Sequence, residues 1–90
     1  MIILCAALKI KETGVVIPCC RHGNGFSILH DLGIKVGMNQ IEQGFINTKN
    51  EFLTREEAFE VAMNNGQLSA VTRQYKRDKH EYELYSEDLY

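Results

Sequence analysis

The sequence predicts an α+β fold, a small antiparallel sheet of two hairpins packed against two helices. Three observations carry this prediction. The opening run Ile2 to Ile10 is dominated by β-branched and aliphatic side chains, as in a buried central strand. Two further short apolar runs, Val15-Val16-Ile17 and Phe52-Leu53, each follow a strand pattern across a turn. Finally, Thr54-Arg55-Glu56-Glu57 reads as a capping box that starts a helix, because the Thr54 hydroxyl can accept from the backbone three residues on while Glu57 reaches back.

Taken in order, Lys11-Glu12-Thr13-Gly14 turns the first strand into Val15-Val16-Ile17. Pro18 belongs at the edge or end of that hairpin, since it has no N–H for a ladder. Cys19 to Gly25 reads as a loop and Phe26 to Leu32 as a helix ended by Gly33. On a helical wheel Ile28, Leu29 and Leu32 form one stripe, and His30 lies beside Phe26, away from it. Gly33 to Glu42 shows no apolar period and reads as a loop. Gln43 to Asn47, the turn Thr48 to Glu51, and Phe52-Leu53 make the second hairpin. The helix from Arg55 should present Ala58, Phe59, Val61, Ala62 and Met63 to the core and stop at Gly66. Leu68 to Gln74 is compatible with a short helix, whereas the mixed-charge run Arg73 to Glu81 reads as a solvated loop or hairpin tip. The aromatic and aliphatic end, Leu84 to Tyr90, is expected to dock and close one edge of the fold.

Length and composition fit one domain, residues 1–90. The chain has 90 residues, 44% hydrophobic and 24% charged, which argues against disorder and against a second core. A domain this short buries roughly 60% of its unfolded surface, so a homodimer or higher homo-oligomer is expected. A net charge of −2 gives no support to binding a nucleic-acid polymer. Cys5, Cys19 and Cys20 are an odd set with an adjacent pair, a poor disulfide framework, and point to a reducing cytoplasm. The apolar opening is too short for a membrane span and lacks the features of a signal peptide.

Polar residues at separated places are the candidates for chemistry. Arg21-His22-Gly23 lies where a strand passes to a helix, a junction suited to anions: Arg21 can fork a phosphate or carboxylate, and His22 can donate a hydrogen bond or move a proton. An exposed basic loop is the plain alternative. His22 and His30 together would supply the base and acid of metal-independent phosphodiester cleavage, with a surface role for His30 as the alternative. Arg55 breaks two local rules, since a cation in the first turn opposes the helix dipole and this one projects towards the core face. A ligand phosphate or the carboxylates of Glu87 and Asp88 should compensate it. Cys19 and His22 have a C-x-x-H spacing, but no second pair completes a zinc site, so no metal and no cofactor are expected. A cysteine nucleophile served by His22 lacks a third orienting group.

The segments Cys20-Arg21-His22-Gly23, Glu42-Gln43-Gly44-Phe45-Ile46, Phe52 to Ala58, Gly66-Gln67-Leu68 and Leu84 to Tyr90 together resemble a family of small, mostly uncharacterised bacteriophage proteins. In that family an Arg-His pair follows a strand, a QGF block leads through REEA into a helix, and the chain closes with SEDL and an aromatic. Asn47-Thr48 and Glu51 depart from the family's usual threonine-serine and arginine. The resemblance implies a polar pocket, by analogy with anti-defence proteins that sequester or destroy nucleotide immune signals in the host cytoplasm. The expected activity is capture of a small phosphorylated nucleotide, a cyclic nucleotide or an ADP-ribose derivative. Arg21 and Arg55 would neutralise phosphate, His22 would hydrogen-bond it, Gln43, Gly44 and Phe45 would line the site, Phe45 or Tyr90 would stack on a base, and Glu87 or Asp88 would accept ribose or base donors. The alternatives are a phosphodiesterase using His22 and His30, and a protein-interaction module that inhibits a host enzyme.

Overall fold

The computed structural model describes residues 2–89. Strand β1 (Ile3–Ile10) lies at the centre of a four-stranded antiparallel sheet with β2 (Val16–Cys19), β3 (Ile41–Asn47) and β4 (Phe52–Thr54), in the order β2-β1-β3-β4. Both predicted hairpins form, β1 with β2 and β3 with β4, which gives the α+β fold. Pro18 pairs opposite Ala7 on β2, an edge strand, where its missing N–H costs no bond on the outer side.

Period-two alternation sorts the sheet. Ala6, Leu8 and Ile10 share one face with their partners Phe45 and Ile41, and all five are buried. Helix α1 (His22–Asp31) covers the half of that face built on Leu8, Ile10 and Ile41, with Leu29 inserted. Helix α2 (Arg55–Asn64) covers the half built on Ala6, Cys19 and Phe45 with Ala58 and Ala62. At the register shift between Ile3 and Cys5, the Gln67 side chain replaces a strand neighbour: its carbonyl accepts from the Ile3 N–H at 2.7 Å and its amide donates to the Ile3 carbonyl at 2.9 Å.

Helix α2 has the predicted bounds. Thr54 accepts from the Glu57 N–H at 3.2 Å, Glu57 accepts from the Thr54 N–H at 2.9 Å, and Gly66 with φ +77° follows the end.

Four expectations are corrected. Helix α1 begins at His22, four residues before the predicted Phe26. Gly23 and Gly25 therefore lie inside it, and Gly25 is a packing requirement: a Cβ there would sit 2.8 Å from Leu8 Cδ1 and 3.0 Å from Cys19 Sγ. Its buried face is His22, Gly25 and Leu29, whereas Ile28 and Leu32 of the predicted stripe are exposed. The strand before the second turn starts at Ile41, preceded by a 3-10 turn at Met38–Gln40. The charged run expected as a loop is most of helix α3 (Ala70–Lys79), started by Ser69, whose hydroxyl accepts from the Thr72 N–H at 3.1 Å. Its inward residue is Lys76, 2% exposed, so no apolar stripe announced it.

The C-terminal segment docks, but over the start of α2 and not along a sheet edge. Leu84 is fully buried and its N–H donates to the Arg55 carbonyl at 2.9 Å. A 3-10 turn at Ser86–Asp88 follows.

Candidate functional site

The starts of α1 and α2 meet over the middle of β3, and the site is built from what each contributes. From α1 comes His22, 7% exposed. Its Nε2–H donates to the Gly44 carbonyl at 2.7 Å, which places the proton on Nε2, and its ring meets Phe45 edge-on at 5.2 Å. Burial pushes the His22 pKa below its usual 6.5 and outweighs the upward pull of the Gly44 carbonyl, with a smaller lowering from the Arg55 charge and a still smaller rise from Glu87. The ring is therefore neutral at pH 7. Gly44 is required by its neighbour β4: a Cβ there would overlap the Leu53 carbonyl oxygen and lie 2.6 Å from Phe52 Cζ.

From α2 comes Arg55, in the first turn as predicted. Of the two expected compensations, a ligand phosphate or the Glu87 and Asp88 carboxylates, the carboxylates do not provide it. Nη2 donates to Gln43 Oε1 at 2.6 Å, Nη1 donates to the Leu84 carbonyl at 2.9 Å, and the guanidinium lies 4.9 Å from the centre of the Tyr85 ring. Two neutral acceptors and an aromatic ring hold it in place of the expected carboxylates. Those carboxylates go elsewhere. Glu87 faces Arg21 Nη1 at 3.8 Å, with the side chains 67% and 44% exposed. Asp88 takes the Lys76 ammonium at 2.8 Å and accepts from the Tyr85 N–H at 2.8 Å.

Arg21, His22, Gln43, Gly44, Phe45, Arg55 and Glu87 are thus brought to one corner, with Asp88 tied in through Tyr85. His30 is not brought there: its side chain is 89% exposed and lies 3.6 Å from Asp31. Phe45 is at the corner but fully buried, so it offers no face for stacking on a base. Tyr90 lies outside the described residues. Burial pushes the Cys19 thiol up, the opposite of what a nucleophile requires, and among the described residues no group of three or more His, Cys, Asp or Glu side chains is placed to hold a metal.

Sequence reasoning missed Lys76 and Tyr85. The Lys76 ammonium donates to the Glu83 carbonyl at 2.7 Å and lies 4.0 Å from Glu81 Oε2 and 4.7 Å from the centre of the Tyr85 ring. The available signal was the surplus of carboxylates in the docked C-terminal segment, which demands a cation.

A family model described as the phage T4 y16D protein matches residues 2–90. The chain belongs to this family. No curated protein and no solved structure matches it. The resemblance to a small phage protein family therefore holds at the level of the family. In this y16D family member no helix among the described residues is long and apolar enough to cross a membrane.

Proposed function

We propose that this protein captures a small phosphorylated nucleotide at the corner where α1 and α2 begin, and that it acts as an anti-defence protein by removing a nucleotide immune signal, a cyclic nucleotide or an ADP-ribose derivative, in the cytoplasm of the infected host. The observation that carries the reading is that the α1 start with Arg21, and Arg55 held by Gln43, converge beside one buried histidine bonded to Gly44. Helix starts and guanidinium groups favour the same ligand charge, and that charge is negative.

The two arginines have different parts. Arg55 is held by Gln43 and Leu84 and contributes a fixed positive field. The Arg21 side chain is 44% exposed and stands 3.8 Å from Glu87, a wide ion pair worth about 0–1 kcal/mol, in whose place a phosphate would offer closer acceptors. The neutral His22 holds the helix start on β3 through Gly44. Capture is favoured over cleavage because the second ring that cleavage needs, His30, faces solvent.

A homodimer or higher homo-oligomer belongs to the same proposal. Its support is the helix-free sheet face, where Leu4 is 52% exposed and Phe52 half-buried. Sedimentation of the purified chain reads the oligomeric state directly. Capture is tested by mixing purified protein with a panel of cyclic and ADP-ribose-derived nucleotides, measuring free ligand, and measuring it again after heat denaturation. Depletion followed by release of intact ligand is expected. Release of a linearised or hydrolysed product means cleavage, and recovery of every nucleotide unbound overturns the proposal.

A further inference from the structure

Beside the cationic corner, a depression of about 350 Å³ opens between α3 and the C-terminal turn, lined by Tyr75, Lys76, Glu81, Tyr85, Glu87 and Asp88. This volume falls within the range of small-molecule sites. Two of its walls also belong to the corner. Glu87 faces Arg21, and the Tyr85 ring lies against Arg55. The buried Lys76 charge is compensated by Asp88, with Glu81 more distant. Lys76 and Asp88 balance one another, so Glu81 and Glu87 leave the lining net negative, and their carboxylate oxygens act as acceptors. Tyr75 stands 56% exposed at the rim. An exposed tyrosine and a set of acceptors, one step from a phosphate-favouring corner, match the opposite end of a nucleotide.

We infer that this depression receives the base-bearing half of the ligand and selects an amine-bearing base such as adenine. The inference rests on the reading that the corner takes phosphate. Tyr75 provides the aromatic surface that the buried Phe45 cannot, while the Tyr85 ring, held by Arg55 and Lys76, forms a wall. Carboxylates accept but do not donate, so Glu81 and Glu87 reward a base whose edge presents an exocyclic amine. Uracil, with carbonyl oxygens at those positions, is disfavoured by the same groups.

Calorimetric titration with ADP, UDP and inorganic pyrophosphate separates the two halves. ADP is expected to bind at least tenfold more tightly than UDP or pyrophosphate. Tyr75→Ala, at an exposed position, should weaken ADP about tenfold and leave pyrophosphate unchanged, and Glu81→Gln should narrow the gap between ADP and UDP. Equal binding of ADP and UDP that is insensitive to both variants, yet lost in Arg21→Ala, overturns the base seat while sparing the phosphate corner. Failure of all three probes to bind overturns both.

Discussion

The two helix starts that meet over β3 are built differently. At α2, Thr54 and Glu57 satisfy each other's backbone N–H groups, the Arg55 side chain is fixed by Gln43 and Leu84, and the C-terminal segment lies over it. At α1, the N-cap is Arg21, whose guanidinium has no acceptor for the free N–H groups of the first turn. Only the reciprocal half of a capping box exists there, Asn24 Oδ1 accepting from the Arg21 N–H at 3.1 Å. One start is closed by its own side chains, and the other has a half-exposed cation in place of a capping acceptor. A helix that does not need its cap for stability, because His22 pins it to the sheet, can leave that end available for a ligand.

The largest expected effect comes from the anchor of the segment covering α2. Lys76→Met leaves the Asp88 carboxylate, 15% exposed, without its cation. Denaturant unfolding should show a loss of about 3–5 kcal/mol. A loss below about 1 kcal/mol would mean that the cover over α2 is held by Leu84 alone. Next is Gly44→Ala, which places a Cβ against the Leu53 carbonyl and Phe52 at the point both helix starts share. Destabilisation of about 1–3 kcal/mol is expected by thermal unfolding, and an unchanged midpoint would show that the β3–β4 crossing relaxes freely.

The third prediction sets the two starts against each other. Thr54→Ala should cost about 1 kcal/mol of stability and leave nucleotide affinity unchanged. Arg21→Ala should cost no more than about 1 kcal/mol while weakening nucleotide binding by about tenfold or more. The reverse pattern, measured by unfolding and titration on the same variants, would break the comparison.

The smallest effect is a pH dependence. His22 has a folded pKa below 6.5, so the unfolded chain binds more protons on acidification. Its contribution to stability is complete above about pH 6.5 and is lost as pH falls through the lower folded value. Unfolding midpoints measured from pH 7.5 to pH 5 should decline in the parent, and the decline should be shallower in His22→Gln.

What the sequence determined by itself was whatever rests on contacts between near neighbours or on an uninterrupted alternation. The Thr54–Glu57 box, the Gly66 stop, both hairpins and the edge position of Pro18 are of this kind. It also marked Arg21, His22 and Arg55 as candidates, and the resemblance added Gln43, Gly44, Phe45, Glu87 and Asp88; one corner gathers these residues, Asp88 through Tyr85, and leaves out His30. Tertiary structure alone decided the rest. Gly25 reads as a loop residue until Leu8 and Cys19 press on it, and the charged run reads as a loop until Lys76 meets Asp88 and the Glu83 carbonyl. Phe45 reads as a possible stacking surface until α2 and His22 bury it. In each case the deciding partner lies on another element, and a residue's own spacing carries no information about a partner that only folding brings near.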